Sequence, residues 1–237
     1  MAALVWGLEW RIALMRRRLF VLNTLVPLLL VVPVATGAAP AVHAAAVYAV
    51  LFAMFSTFGS AIPLVRDAER GITARVLRGG MSPSSYLLQR AAAGAALDAL
   101  QLFPALLLAA LGAGASPRGL LVTLAALAGT AWIGNLIGPL VAATTRSLAE
   151  AALFTAVATL LLLHMSGVFR TPSPGSYGAL FEAASPFRAV HESLLSMSVP
   201  GPIGGVGALA AWALLLPTAT AVLAGPLMNA LRGLGRG

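Results

Sequence analysis

The chain has 237 residues, of which 59% are hydrophobic and only 9% are charged. A soluble domain carries roughly 25% charged residues, so this composition excludes a soluble protein and predicts an all-α integral membrane protein. All 15 basic residues are arginine, cysteine is absent and the net charge is +8. The lack of cysteine excludes disulfides and thiolate metal sites, and the arginine positions indicate contact with anionic membrane lipid rather than nucleic acid.

Residues 1–18 are predicted to form an amphipathic helix in the membrane interface. Apolar residues recur there at helical spacing before three consecutive arginines, a pattern typical of helices that lie at headgroup level. The apolar stripe is Val5, Leu8, Ile12, Met15 and Leu19. The residues of this helix that we expect to contact a partner protein or the interface are Trp6, Glu9, Trp10 and Arg11. The alternative is that the segment only extends the first span into the cytoplasm.

Six apolar runs follow, at residues 19–36, 41–65, 87–111, 120–142, 148–168 and 205–228. Each is long enough to cross a hydrocarbon core of roughly 30 Å as a helix, and only helices or closed barrels satisfy the backbone there. The alternating pattern of barrel strands is not seen. The runs therefore predict six transmembrane helices in a single domain, 1–237, whose internal prolines kink the helices without ending them.

The arginines are distributed unequally between the two sides of this topology. If the N-terminus is cytoplasmic, only Arg118, Arg170 and Arg188 lie on the outer side, and the other 12 of the 15 lie on the inner side. Because cytoplasmic loops carry the excess of basic residues, we expect a multi-pass protein of the cell membrane with both termini in the cytoplasm. A signal peptide at residues 16–37 is the competing interpretation, but it would remove one span and spoil this distribution.

The cytoplasmic loop at residues 66–86 is dense in charge and interrupted by glycine. Gly71 is expected to break the second span, and the glycine pair at 79–80 to end a short helix that follows it. Ser82 and then Pro83 have the form of an N-cap and a first-turn proline that open the third span. A solvated run of charged residues needs neither the glycine breaks nor the helix cap. We therefore interpret the short helix as a docking element, with the solvated run as the alternative.

The extracytoplasmic loop at residues 169–204 is the longest connection between spans. Phe187, Val190 and Leu194 have the spacing of one helical face, which predicts a short outer-face helix before the last span. An ordinary surface hairpin is the alternative.

Four polar residues inside the predicted spans are candidates for a substrate pathway: Asp98, Gln101, Asn135 and His164. A carboxylate inside a span costs about 2.5–3.5 kcal/mol on insertion scales and is a functional candidate by default. Asp98 and Gln101 lie one helical turn apart, and no arginine of a neighbouring span is an obvious partner for Asp98. Each of the four side chains could instead only bond to a neighbouring helix.

The order of residues in the 66–86 loop resembles the loop between the second and third spans of type-2 ABC exporter permeases. The matching residues are Glu69, Gly71, Ile72, Leu77, Met81, Ser82 and the run Tyr86, Leu87, Leu88. The run Ser166 to Phe169 with prolines at 172 and 174 resembles the end of that family's fifth span, and Ser185-Pro186-Phe187 its short outer helices. Gly80 stands where the family commonly has proline, and Arg170 where it continues with an apolar residue.

This resemblance implies a permease subunit that couples ATP hydrolysis by a separate subunit to export of a hydrophobic or amphipathic cargo, such as a drug, a lipid or a lipid-linked glycan. The loop would dock with the ABC ATPase subunit through Asp67, Glu69, Arg70, Gly71, Ile72, Arg75, Leu77 and Arg78. A second permease chain, identical or related, would complete the transporter. No G-x-x-x-x-G-K-[ST] pattern exists and lysine is absent, so this chain cannot supply the phosphate-binding lysine. ATP and Mg²⁺ are expected on the partner, with no cofactor on this chain.

Three other classes remain open at this point. A haem-exporter-like permease of cytochrome c maturation shares the six-span plan, and a passive channel or scaffold is compatible with helices rich in small residues. An intramembrane enzyme is disfavoured because the sequence lacks H-E-x-x-H, G-x-S-G and clustered carboxylates, the patterns that such chemistry requires.

Overall fold

The computed structural model describes residues 3–37, 40–170, 173–197 and 204–234, without the side chains of residues 3, 4 and 232–234. Residues 1–2 of the predicted interfacial helix, Pro172, residues 198–203 of the outer loop and residues 235–237 lie outside this part. All regular elements in the described ranges are α-helices, which confirms the all-α class. They are α1 Ala3–Met15, α2 Arg17–Thr36, α3 Ala41–Glu69, α4 Ile72–Arg78, α5 Pro83–Gly112, α6 Pro117–Thr144, α7 Leu148–Met165, α8 Tyr177–Ala184, α9 Arg188–Leu195, α10 Val206–Val222 and α11 Ala224–Leu234.

Five of these helices, α2, α3, α5, α6 and α7, are long and apolar enough to cross a membrane. Their positions match the first five predicted spans. Prolines lie inside α2, α3, α5, α6 and α10, and none of them ends its helix. Neighbouring groups can satisfy the carbonyls that a proline frees within a membrane bundle.

The last predicted span, 205–228, is not one continuous helix. α10 and α11 meet at a bend of 65°, so the number of spans reaches six only if this bent pair counts as one. Pro226 falls in the first turn of α11, where its missing N–H is not needed by the helix. Leu227, Met228 and Leu231 are buried on one face of α11. Burial of this face holds α11 against the bundle. In the sequence, the Gly225-Pro226 pair was the signal that a helix break lies nearby.

The core of the bundle is formed by α3, α5 and α6, while α2, α7 and α10 lie at its periphery and bury few residues. α3 packs most extensively on α6. At their crossing a Cβ on Gly134 would lie 2.9 Å from the Cβ of Ser56, and one on Gly138 would lie 2.5 Å from the Cβ of Ser60. Small residues spaced by four on both helices therefore allow the backbones to approach closely, as is common in membrane bundles.

The two ends of the bundle differ in their helices. We call the end with α1, α4 and α11 the arginine-rich end; the other end carries α8 and α9. The predicted outer-face helix is present as α9, with Phe187, Val190 and Leu194 buried. The Thr123 hydroxyl of α6 donates to the Ser193 carbonyl at 3.2 Å and fixes α9 on the bundle. His191 is buried too. Burial lowers the pKa of His191, and the nearby negative charge of Glu192 offsets only part of this effect.

Candidate functional site

The short helix α4 lies between two glycine breaks, as the sequence predicted. Gly71, before its first residue, has a left-handed φ of 67°, and Gly80, after its end, has a φ of 89°. These conformations are costly for residues with a Cβ. Ser82 then accepts a hydrogen bond from the Ser85 amide at 3.2 Å, with Pro83 in the first turn. The predicted N-cap of α5 is therefore present, and α4 is a separate unit between two long helices.

The two sides of α4 and its flanks differ in exposure. Glu69, Arg70, Arg75 and Arg78 are exposed, and within the described residues none of these four forms an ion pair. Ile72 and Leu77 are half-buried and Thr73 is buried. Leu77 and its neighbour Val76 pack against a hydrophobic cluster at the arginine-rich end. That cluster consists of Val5, Leu64, Val65, Ala68, Tyr86, Leu87, Ala142, Ala151, Ala224, Leu227, Met228 and Leu231. α4 therefore presents unpaired charge outwards from a firmly packed base.

Asp67, the remaining residue predicted for docking, faces the interior instead. Its Oδ2 lies 2.9 Å from Arg90 Nη1, and the same nitrogen lies 2.9 Å from Glu9 Oε1. The side chains of Arg90 and Asp67 are each 7% exposed and that of Glu9 is 16% exposed. We call these three residues the ion clamp. It joins α1, the end of α3 and the start of α5 by two ion pairs.

Two neighbours complete the surroundings of the ion clamp. Arg90 Nη1 also donates to the Tyr86 hydroxyl at 3.2 Å, and Arg66 Nε lies 3.3 Å from Asp67 Oδ1. Both Asp67 oxygens and the Arg90 head are thus engaged. A buried charge must be paired in this way because an isolated one is very costly.

Arg90 was not among the residues predicted for the site, because the arginine count treated it as one more charge on the cytoplasmic side. A sequence signal existed. Arg90 lies about two turns inside the helix opened by Pro83, at roughly 1.5 Å per residue. An arginine at that depth requires a partner, and Glu9 and Asp67 are the carboxylates that supply it.

The N-terminal segment is a helix, α1, that ends before a turn at Arg16. Its inward residues are Val5, which is buried, and Glu9. Leu8 and Met15 of the predicted apolar stripe are exposed. Trp6 is also exposed, as is Arg11, and the Trp6 and Trp10 ring centroids are 6.4 Å apart. The contact of α1 with the bundle therefore depends on a charged side chain as well as on apolar packing.

A second polar group of residues lies in the middle of the bundle, and we call Ser56, Ser60, Asp98 and Asn135 the polar node. Asn135 Nδ2 donates to Asp98 Oδ2 at 2.7 Å and to the Ser56 carbonyl at 3.2 Å. The Ser60 hydroxyl donates to the Asn135 carbonyl at 2.9 Å. All four residues are buried. The polar node links α3, α5 and α6, so two of the four predicted pathway residues are joined directly.

Two glycines provide the space for these side chains. A Cβ on Gly59 would lie 2.6 and 2.7 Å from the two Asp98 carboxylate oxygens. A Cβ on Gly94 would collide with Asn135 Oδ1, which has no hydrogen-bond partner among the described residues. Alanine at either position would displace the Asp98 or Asn135 side chain.

A crevice of about 380 Å³ opens between α1 and α2 on one side and α3 and α5 on the other. Glu9, Arg16 and Arg66 line it at the arginine-rich end, while Asp98 and Gln101 line it deeper in the bundle. The crevice thus runs from the ion clamp to the polar node. Its size falls within the roughly 300–1,000 Å³ of ligand pockets.

His164, the fourth predicted pathway residue, does not line this crevice. It is exposed near the end of α7, and its ring stacks on Phe169 with centroids 6.5 Å apart. The structure therefore brings together Asp98, Gln101 and Asn135 but leaves His164 apart from them.

A protein-family model described as ABC-2 type transporter matches residues 5–197. The matched region includes α4, the ion clamp, the polar node and α9. No match was found among curated proteins or among solved structures.

Proposed function

The chain belongs to the ABC-2 type transporter family, and from this membership we propose that it is the membrane half of an ATP-driven exporter. It is a multi-pass membrane permease of an ABC transporter, and the family implies pairing with an ABC ATPase subunit. Permeases of this family are generally not catalytic themselves, so ATP and Mg²⁺ are assigned to the partner. Export, the cargo and the coupling route are the parts that we propose.

The exposed charge of α4 is the observation that carries the coupling proposal. Arg75 and Arg78 project from α4, whose other side is packed on the bundle, and Glu69 and Arg70 are exposed just before it. Such a surface suits a partner with complementary charge, because charge complementarity selects and orients partners. The firm base matters equally, since a helix that moved independently of the bundle could not transmit a displacement.

The ion clamp supplies a route for that displacement. Asp67 lies on the last turn of α3, just before Gly71 and α4, and Arg90 joins it to α5 and, through Glu9, to α1. A push on α4 therefore moves three helices together. Two of these helices, α3 and α5, carry Gly59 and Asp98 of the crevice wall. ATP-driven closure of the partner would in this way change the shape of the crevice.

The same proposal assigns the arginine-rich end to the cytoplasm. Among the arginines that the structure describes, only Arg118, Arg170 and Arg188 lie toward the other end. Basic residues accumulate on the cytoplasmic side of membrane proteins. The peripheral helices α2, α7 and α10 leave broad apolar faces, of which lipid and a second permease chain are the proposed neighbours. Cargo would be exported from the inner leaflet or the cytoplasm.

The test begins by isolating the tagged chain from its native membrane and identifying any ABC ATPase that copurifies. The double variant Glu69→Ala and Arg75→Glu changes only exposed charges, one at the end of α3 and one on α4. It should insert normally, but the permease should no longer control ATP hydrolysis by the partner. Arg118→Glu at the opposite end is the matched control and should leave the regulation of ATP hydrolysis intact. Wild-type ATPase behaviour in the double variant would reject docking through α4.

A further inference from the structure

We propose that the crevice between α1–α2 and α3–α5 binds an amphipathic organic cation, with the Asp98 carboxylate as its counter-ion. The proposal rests on the proposed function, since it names the class of cargo that the permease takes up. It concerns a site within one chain, formed by described residues only.

The first support is the incomplete bonding of Asp98. In the part of the chain that the structure describes, its carboxylate accepts a single side-chain hydrogen bond, from Asn135 Nδ2 at 2.7 Å, although a carboxylate has about four acceptor positions. No arginine or histidine among the described residues forms an ion pair with it. A carboxylate buried without an opposite charge is costly to ionise, and a cation that entered the crevice would stabilise its ionised form.

The second support is the distribution of charge along the crevice. Both arginines that line it are at the arginine-rich end, and Arg66 there is already paired with Asp67 at 3.3 Å. Gly59, which faces Asp98, precedes Arg66 by seven residues on α3, about 10 Å along the helix axis. The inner part of the crevice therefore contains a carboxylate and no lining arginine.

The third support is the chemistry of the walls. Phe20, Phe55 and Phe58 line the crevice and are half-buried, so their rings are accessible to an apolar ligand body. Aromatic faces also attract cations by the ring quadrupole. An anion would be repelled by the Asp98 carboxylate, and a neutral apolar molecule would leave that carboxylate without an opposite charge. A compact aromatic cation satisfies both the walls and the carboxylate.

The experiment measures binding to the purified full chain in lipid nanodiscs, without any ATPase. The probes are tetraphenylphosphonium and tetraphenylborate, which share size and shape but carry opposite charge, and binding is counted above that of empty nanodiscs. The wild type should bind tetraphenylphosphonium saturably and discriminate against tetraphenylborate. Asp98→Asn, which keeps the shape and the acceptor for Asn135, should weaken cation binding about tenfold or more.

Two further variants separate charge from shape. Gly59→Ala keeps the charge but places a methyl group against the Asp98 oxygens, so it should also weaken cation binding. Gly207→Ala in α10 is the matched control, because its added Cβ meets nothing within 4 Å and it does not line the crevice. It should preserve cation binding and the discrimination between the two probes. Thermal unfolding of each variant checks that the fold is retained.

A measurement on the wild type removes dependence on variants that fail to fold. Dicyclohexylcarbodiimide reacts with carboxyl groups in apolar surroundings, and modification of Asp98 can be mapped by mass spectrometry. Tetraphenylphosphonium should slow this modification, and tetraphenylborate should not. The proposal is overturned if wild-type binding does not saturate, if Asp98→Asn binds the cation as well as the wild type, or if Asp98 is not protected. If the chain binds the cation as expected but the α4 variant leaves ATP hydrolysis unchanged, the proposed coupling function is rejected and the cation site stands.

Discussion

The ion clamp and the polar node both tie α3 to α5, but they differ in how their charges are balanced. In the ion clamp one guanidinium lies 2.9 Å from each of two carboxylates on other helices. In the polar node a single carboxylate has an amide as its only side-chain partner within the described ranges. With Arg66 3.3 Å from Asp67, the carboxylates of the ion clamp are balanced by arginines of the same chain, which suits the transmission of movement. The polar node is incomplete in this respect and suits the binding of a ligand.

Among variants of the ion clamp and the polar node, removal of Arg90 should lower the free energy of unfolding most. Arg90→Gln leaves Glu9 without a cation and Asp67 with Arg66 alone. Breaking a buried pair in this way costs about 3–5 kcal/mol. We expect a loss of this size in the free energy of unfolding, measured by titration with denaturing detergent. Arg75→Gln, at an exposed position, should change it by no more than about 0.5 kcal/mol.

The same comparison can be sharpened by neutralising the whole ion clamp. Adding Glu9→Gln and Asp67→Asn to Arg90→Gln removes the carboxylates that had lost Arg90 and should restore part of the lost stability. If Arg90→Gln alone unfolds like the wild type, the three charges do not hold α1, α3 and α5 together.

An intermediate effect is expected where α3 meets α6 beside the polar node. Gly138→Ala would place its Cβ 2.5 Å from the Cβ of Ser60, and such overpacking typically costs about 1–3 kcal/mol. Gly207→Ala in α10 is the matched control, because nothing lies within 4 Å of its added Cβ. The free energies of unfolding of the two variants should differ accordingly; equal values would contradict the close approach of α3 and α6.

The smallest expected effect concerns the N-caps at the two ends of the bundle. Ser82→Ala removes the acceptor for the Ser85 amide and Ser116→Ala that for the Gly119 amide. Each should lower the free energy of unfolding by about 1 kcal/mol. Only Ser82→Ala should in addition weaken ATPase coupling, since Ser82 lies between α4 and α5. A coupling defect of equal size in both variants would place the docking surface elsewhere.

Local signals in the sequence were sufficient for α4 and its surroundings. Gly71 and Ser82 act through the conformation of their own backbone or the next turn, so their roles did not depend on the rest of the fold. The first five spans were also predicted, because a hydrophobic run long enough to cross a membrane is itself the signal. The family resemblance was confirmed by the match over residues 5–197.

Contacts between distant residues could not be predicted in the same way. Glu9, Asp67 and Arg90 are widely separated in the chain, and their meeting depends on how α1, α3 and α5 pack. Asp98 and Asn135 were both identified as candidates, but nothing in the sequence indicated that they pair. The bend between α10 and α11 was missed because hydropathy alone does not register the helix break at Leu223, just before Gly225 and Pro226.

The most direct test of the central claim, that α4 is the docking surface, uses the absence of cysteine from the chain. Arg75→Cys on α4 and Arg118→Cys at the opposite end, both exposed, are labelled separately with benzophenone maleimide and irradiated in membranes that contain the copurifying ATPase. We expect a cross-linked product with the ATPase from Arg75→Cys and none from Arg118→Cys. Cross-linking from Arg118→Cys alone, or equally from both, would contradict the account.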